Sequence, residues 1–162
     1  EAYKKVRAKI PVAHLVVAGA DHPQHPGYLA PYRAAGLDGV EFIGYVPQKQ
    51  LAEVFRRARV VVLPYNAAPG TSGVFHLACG FGRPVVASNL PEIREIVADG
   101  ASAVLVPPGD VDALAEAITR LLVDDGAAEK MSKLNLVFAE KESWSKVAEA
   151  YTQIYRQLLT RH

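Results

Sequence analysis

The sequence predicts an α/β domain of the doubly wound type, in which helices cover both faces of a parallel sheet. Short, almost wholly apolar runs at 12–18 and 60–63 are typical of strands that are buried on both faces. Amphipathic segments with helical spacing alternate with such runs along the chain. Because the connections between them are short, the pattern favours parallel crossover units over an antiparallel sheet.

The first elements follow from apolar spacing and from their stop residues. Residues 2–10 predict a helix, since apolar side chains recur every fourth position among lysines and an arginine. Pro11 ends this helix, and the apolar run at 12–18 predicts the first strand. A polar, proline-rich loop then leads to a helix predicted at 28–36, for which Gly36 is the C-terminal stop.

The middle of the chain repeats the same alternation. A short apolar run predicts a second strand at 40–43, which ends at a glycine. Residues 48–58 place their apolar side chains on one helical face, and a third strand is predicted at 60–63. A helix at 72–80 and a strand at 84–87 follow, separated by a Gly-Arg-Pro turn.

The last elements begin with recognisable capping residues. Proline is tolerated at the first helical position, so Pro91 predicts the start of a helix at 91–97. A strand at 103–106 precedes Asp110, which we predict to be the N-cap of a helix at 111–123. Two further helices are predicted at 127–140 and 143–159.

Length and composition exclude several classes of protein. The 162 residues predict one domain at 1–142, followed by a C-terminal helix at 143–162. The net charge of +1, from 18 Lys+Arg against 17 Asp+Glu, argues against nucleic-acid binding. The single Cys79 excludes a disulfide framework. No apolar run approaches the ~20 residues of a membrane-spanning helix, and we expect a globular domain of the cytoplasm.

The most informative candidate site is the loop that follows the third predicted strand. In open parallel sheets ligands bind beyond the carboxyl ends of the strands. There the residues Gly70, Thr71, Ser72, Gly73 and Val74 lead directly into an apolar helix. Free backbone N–H groups and the helix dipole at such a start favour a phosphate or a carboxylate. The alternative is that Thr71 or Ser72 is an ordinary N-cap of the helix.

Other familiar site patterns are missing or weak. No Gly-Lys-Ser/Thr follows the loop, and no Gly-x-Gly-x-x-Gly follows the first strand, so neither phosphate-binding fingerprint is present. His22 and His25 lie beside Asp21, but we interpret them as part of a solvated turn and expect no metal site. Cys79 is interpreted as a small core residue.

An ordered series of short motifs extends over nearly the whole chain. The series includes Leu-Val-Val-Ala-Gly at 15–19, Val-Glu-Phe-Ile-Gly-Tyr-Val at 40–46, Ala-Arg-Val-Val-Val-Leu-Pro at 58–64, Gly-Arg-Pro-Val-Val-Ala-Ser at 82–88 and Leu-Val-Pro-Pro-Gly-Asp at 105–110. In this order the motifs resemble the C-terminal domain of a group 1 (family 4) glycosyltransferase of the GT-B fold. The resemblance implies a Rossmann-like domain, incomplete at its N-terminus.

The resemblance also implies a function and a set of site residues. Such domains bind a nucleotide-sugar donor, and the enzymes transfer the sugar, here a hexose, with retention of configuration and without a bound metal or other cofactor. The diphosphate is then expected at residues 70–74, the helix start already singled out. The loop of Gly44, Tyr45 and Val46, with Leu51 nearby, resembles the one that lies against the nucleotide base.

The sequence departs from the family pattern beside this helix start. Many members carry two glutamates eight residues apart, one touching the donor sugar and one holding the ribose hydroxyls. Pro69 and Leu77 occupy the matching positions, so both carboxylates are absent. His76 is adjacent to the second of these positions and is a further candidate for the sugar or ribose side. The donor base, the donor sugar and the acceptor are not specified by these residues.

The resemblance further implies parts of a longer protein. The family's domain starts with a central strand and a loop bearing an Arg and a Lys that meet the diphosphate, which would precede Glu1. A separate N-terminal domain would bind the acceptor and could associate with a membrane. We therefore expect this chain alone to bind donor weakly and to transfer nothing. The apolar stripe of its last helix then predicts self-association when that domain is absent.

Two other interpretations stay open at this stage. A non-catalytic nucleotide- or sugar-phosphate-binding module, related to the transferases, is favoured by the two absent glutamates. A nucleotide-sugar epimerase of similar two-domain fold fits the ordered motifs less well. The residues upstream of Glu1 separate the first alternative from an enzyme.

Overall fold

A computed structural model describes residues 1–21, 23–67 and 72–159 of the chain. Helices and strands alternate in the order predicted. The strands are β1 (Leu15–Ala18), β2 (Val40–Gly44), β3 (Val61–Leu63), β4 (Val85–Ser88) and β5 (Val104–Val106). The helices are α1 (Ala2–Lys9), α2 (Ala30–Ala34), α3 (Gln48–Arg57), α4 (Gly73–Gly80), α5 (Pro91–Ala98), α6 (Val111–Val123), α7 (Asp125–Lys141) and α8 (Trp144–Leu159).

All strand pairs are parallel, which confirms the predicted fold class. In the described residues, however, the strands form two sheets, one of order β1-β2 and one of order β3-β4-β5. A doubly wound sheet of six strands has the order 3-2-1-4-5-6. The two observed sheets match positions 3-2 and 4-5-6, and no described strand takes the position between β1 and β3.

The core is built around β4, whose four residues are all buried. Val85 and Ala87 face one apolar cluster, together with Phe75 and Ile93. Val86 faces the opposite cluster, whose other buried members are Val106, Ala117, Leu121 and Met131. Because successive side chains of a strand point to opposite faces, β4 is covered on both sides, as its apolar sequence predicts.

A buried amide attaches α7 to the sheet. Asn135 is fully buried, and its Oδ1 accepts a hydrogen bond of 2.7 Å from the backbone N–H of Ser102. Its Nδ2 donates a bond of 3.0 Å to the carbonyl oxygen of Arg83. The amide therefore links α7 to the segments that precede β4 and β5.

All predicted boundaries but one agree with the structure within two residues. The strand predicted at 12–18 begins only at Leu15, because the chain turns after α1 and leaves Val12 80% exposed. The helix predicted at 28–36 is shortened to Ala30–Ala34. Asp110 is confirmed as an N-cap, since its Oδ1 accepts a hydrogen bond of 2.9 Å from the N–H of Ala113.

The two ends of the chain differ in their packing. Helix α1 packs on α6, with Val6 buried and an ion pair between Lys5 and Asp112 beside the contact. Helix α8, by contrast, has no buried residue, and most of its large apolar side chains are exposed. In the part of the chain that the structure describes, no helix is both long and apolar enough to cross a membrane.

Candidate functional site

The carboxyl ends of the strands carry the residues that the sequence singled out. Strand β1 is followed by Gly19 and β2 ends at Gly44, and a hydrogen bond of 2.7 Å from the N–H of Gly19 to the carbonyl oxygen of Gly44 joins the two turns. Both glycines have positive φ, +130° and +67°. Such backbone angles favour glycine, which explains the two residues that end these strands.

The start of α4 is held by three polar side chains. Ser72 is its N-cap, and its Oγ accepts a hydrogen bond of 3.2 Å from the N–H of Phe75. The hydroxyl of Tyr65 lies 3.3 Å from the same Oγ. The Nδ1 of His76 donates to the carbonyl oxygen of Ser72 at 3.0 Å. The predicted N-cap role is thereby confirmed for Ser72, and its neighbours fix the first turn of the helix.

The same helix end can accept an anion. The N–H groups of Gly73 and Val74 are the first two of the helix and therefore have no partner within it. No acidic residue lies in the first turn of α4, so no side-chain charge there repels an anion. Gly73 has open space where a Cβ would lie. The arrangement offers backbone dipoles to negative charge without help from a lysine.

The structure places the remaining predicted residues in different surroundings. Pro69, Gly70 and Thr71 lie outside the described residues. Leu77 is partly exposed on α4, while the ring of His76 contacts Phe138 of α7 with centroids 5.7 Å apart. Hence His76 is anchored both to the helix start and to the neighbouring helix.

The loop after β2 combines one exposed ring with half-buried neighbours. Tyr45 is 77% exposed, and Val46 is half-buried. Leu51, from α3, packs against the core cluster around Phe55. No hydrogen bond or ring contact among the described residues joins this loop to α4. The two halves of the predicted site therefore lie beyond strands of different sheets.

Tyr65 is the site residue that the sequence analysis did not single out. It follows β3 and precedes the loop, and its ring packs against the core while its hydroxyl reaches Ser72. No periodic pattern connects residues 65 and 72, because the contact depends on the path of the loop. In the sequence, Tyr65 is marked only as an aromatic residue that lies between the end of a strand and a candidate binding loop.

The geometry tests the interpretation of Cys79. Burial raises the pKa of Cys79 to about 12, so the thiol stays protonated and the interpretation as a core residue is confirmed. His22 lies outside the described residues. Within residues 1–21, 23–67 and 72–159, no group of three or more His, Cys, Asp or Glu is placed to hold a metal ion.

Comparison with known proteins shows the family to which the chain is similar. A family profile described as "Glycosyl transferases group 1" matches residues 1–124. D-inositol 3-phosphate glycosyltransferase of Kribbella flavida is 34% identical over 140 residues, which are 85% of this chain and 32% of that protein. Phosphatidyl-myo-inositol mannosyltransferase of Mycobacterium leprae is 33% identical over 129 residues, 79% of this chain and 34% of that protein. The chain thus spans about a third of the length of these relatives.

Solved structures agree in fold. Sucrose-phosphate synthase from Thermosynechococcus elongatus has 30% identity and a TM-score of 0.77, over 99% of this chain and 42% of that one. The Anabaena protein HepE, in complex with UDP and glucose, has 19% identity and a TM-score of 0.78, over 97% of this chain and 43% of that one. At this identity the second likeness shows the fold alone.

Proposed function

Because this chain belongs to the group 1 glycosyltransferases, we propose that it is the nucleotide-sugar donor-binding domain of a retaining enzyme that transfers a hexose. The observation that carries the proposal is the start of α4, at the carboxyl edge of the sheet. There Ser72, Tyr65 and His76 fix two backbone N–H groups that have no partner within the helix. A diphosphate is the anion that this end would bind.

The proposed mechanism is electrostatic. Sugar transfer leaves a nucleoside diphosphate, and negative charge grows on its oxygens as the bond to the sugar breaks. The N–H groups of Gly73 and Val74 are already oriented, so they would stabilise this charge without rearrangement during the reaction. Residues 70 and 71 belong to the same proposed contact.

The nucleoside would extend from α4 towards the loop after β2. Tyr45 offers an exposed aromatic ring of the kind that stacks on planar groups. Leu51 of α3 packs against the core cluster, and from there it would support this loop. Support for a nucleotide ligand also comes from HepE, which has the same fold and is solved with UDP and glucose.

A substitution at Gly73 tests the diphosphate contact. Gly73→Asp puts a carboxylate at the start of α4, where the helix dipole favours it but a diphosphate is repelled. We expect the variant in the full-length protein to bind UDP or GDP at least tenfold more weakly, with no loss of thermal stability. Gly73→Asn is the matched neutral control, because its side chain has nearly the same shape. Equal nucleotide affinities for the two variants in calorimetry would contradict the proposal.

A non-catalytic module is the second candidate, and one observation favours it. Leu77, at the position where the family resemblance implies a glutamate, is an apolar and partly exposed side chain. A module would bind the nucleotide sugar without consuming it. Incubation of the full-length protein with radiolabelled UDP-glucose or GDP-mannose and a candidate acceptor separates the two candidates. Donor binding with neither transfer nor hydrolysis would favour the module.

A further inference from the structure

His76 lies on α4, and its ring is bonded back to the start of that helix. Its Nδ1 donates a hydrogen bond of 3.0 Å to the carbonyl oxygen of Ser72. The backbone N–H groups of Phe75 and His76 donate to the same oxygen, at 3.0 Å and 3.2 Å. The two backbone donors are usual at a helix terminus, so the imidazole is an additional donor to this carbonyl.

That carbonyl belongs to the same peptide group as the N–H of Gly73. A trans peptide is planar, so its C=O and N–H point in opposite directions and turn together. The N–H of Gly73 is one of the two that have no partner within the helix. A bond that holds the carbonyl oxygen of Ser72 therefore also holds the direction of this N–H.

The same bond polarises the peptide group. A hydrogen bond accepted by a carbonyl draws electron density from the amide nitrogen, and bonds in such a chain strengthen one another. The N–H of Gly73 is thus a stronger donor to an anion when the carbonyl of Ser72 is bonded to the imidazole. The effect needs no contact between the imidazole and that anion.

The carbonyl also decides where the ring carries its hydrogen. A carbonyl oxygen only accepts, so Nδ1 of His76 carries a hydrogen. In the neutral imidazole Nε2 then has none and cannot donate to a phosphate oxygen. The neutral ring can therefore assist a diphosphate only through the backbone.

Helix α7 holds the ring as well. The centroid of the imidazole lies 5.7 Å from that of Phe138, with an angle of 42° between the two planes. Phe138 is buried in the core cluster, and Asn135, about one turn earlier on α7, is bonded to the segments before β4 and β5. The imidazole is thus fixed between the start of α4 and a helix that is itself anchored.

We propose that His76 is a positioning residue for the diphosphate of the donor. Its Nδ1–H orients and polarises the peptide group between Ser72 and Gly73, and the N–H of Gly73 then meets the diphosphate. The inference rests on the proposed function, because that function supplies the diphosphate. It goes beyond that function by assigning His76 a role that requires no contact with the nucleotide sugar.

Two substitutions in the full-length protein separate the N–H from the ring. His76→Phe keeps a ring against Phe138 but removes the donor, whereas His76→Asn loses the ring but places an amide N–H the same number of bonds from Cα as Nδ1. We expect His76→Phe to weaken UDP or GDP binding about fivefold in calorimetry, and His76→Asn to retain most of the affinity. His14→Phe is the matched control, because His14 is exposed just before β1, at the amino end of the strand, and it should leave the affinity unchanged.

The amide of Gly73 gives a readout that packing of the ring alone does not change. The full-length protein is prepared with isotope-labelled glycine, and the NMR signal of Gly73 is assigned by its absence in Gly73→Ala. We expect the amide nitrogen to shift upfield in His76→Phe and to stay near its parent position in His76→Asn.

The outcomes separate this inference from the proposed function. Nucleotide binding by His76→Phe equal to that of the parent, or equal losses for the two variants, overturns the inference alone. Weaker binding by His76→Phe with an unmoved Gly73 signal would show that His76 contacts the ligand directly, and it also overturns the inference. A parent protein that binds neither UDP nor GDP contradicts the proposed function, and the positioning role with it.

Discussion

At the residue scale, single polar side chains connect segments that the apolar pattern does not connect. Asn135 satisfies two backbone groups from separate segments, and Ser72 connects Tyr65 to α4. Neither contact can be read from the sequence, because side-chain hydrogen bonds across a loop or between separate elements leave no periodic pattern. The caps Ser72 and Asp110 were predictable, since a cap bonds the N–H three residues further on.

The buried amide gives the first prediction. Asn135→Leu has a similar volume but leaves the N–H of Ser102 and the carbonyl of Arg83 without a partner. Each unsatisfied group costs about 1–3 kcal/mol, so we expect a lower free energy of unfolding by roughly 2–4 kcal/mol in urea. Asn66→Leu, at an exposed position, is the control and should change stability by less than about 0.5 kcal/mol. A loss for Asn135→Leu no larger than for the control would show that water satisfies these groups.

The buried thiol gives the second prediction. Its pKa is raised from 9.0 to about 12 in the folded chain, so between these values the unfolded state releases a proton that the folded state keeps. Stability from this group is therefore complete below pH 9 and falls as the pH rises towards 12. We expect Cys79→Ala to lose less stability over that range than the parent chain. Identical pH slopes, or rapid iodoacetamide labelling of the folded protein at pH 8, would contradict the prediction.

At the element scale, the local sequence pattern predicted every described helix and strand. It predicted the length of these elements less accurately. Helix α6 has the predicted bounds, because its cap and its apolar spacing lie within its own residues. The strand β1 is shorter than its apolar run, since only Leu15–Ala18 pairs with β2. The length of a strand depends on the neighbouring strand with which it pairs, and the apolar sequence of the strand does not specify that neighbour.

The last helix gives a prediction about association. Tyr151, Ile154, Tyr155 and Leu158 lie on α8 and are all more than half exposed. We expect the 162-residue chain to self-associate with rising concentration, because burial of this stripe removes apolar surface from water. Ile154→Glu should weaken association. Gln153→Glu is the control, because it adds the same charge next to the stripe, and it should weaken association less. A monomer at all concentrations in sedimentation, or equal effects of the two changes, would contradict it.

The gap between the sheets gives a prediction about a longer chain. Position 1 of the doubly wound order lies between β1 and β3, and each of these strands is paired along one edge in the described residues. We expect one further apolar strand, supplied by a longer form of the protein, to pair with both. Amide hydrogen exchange within 15–18 and 61–63 should then slow relative to the 162-residue chain. Unchanged exchange at these amides would show that the two sheets stay separate.

At the scale of the whole molecule, the chain spans about a third of the length of the relatives it matches. The proposed donor site lies on this chain, while the acceptor domain implied by the resemblance lies outside it. We therefore predict that the 162-residue chain binds UDP or GDP weakly and transfers no sugar. The full-length protein is expected to bind the nucleotide more tightly and to transfer sugar. Transfer by the short chain in a radiolabel assay would contradict this.

The sequence by itself determined the α/β class, the order of the elements, the capped start of α4 and the family. These features depend on residues that are close together in the chain, where apolar period, caps and glycine turns act directly. Only the tertiary structure decided that the strands form two sheets, that Tyr65 reaches Ser72 and that Asn135 connects α7 to the sheet. These features depend on the path of a loop or on elements distant in sequence, so they exist only once packing has fixed the position of every element.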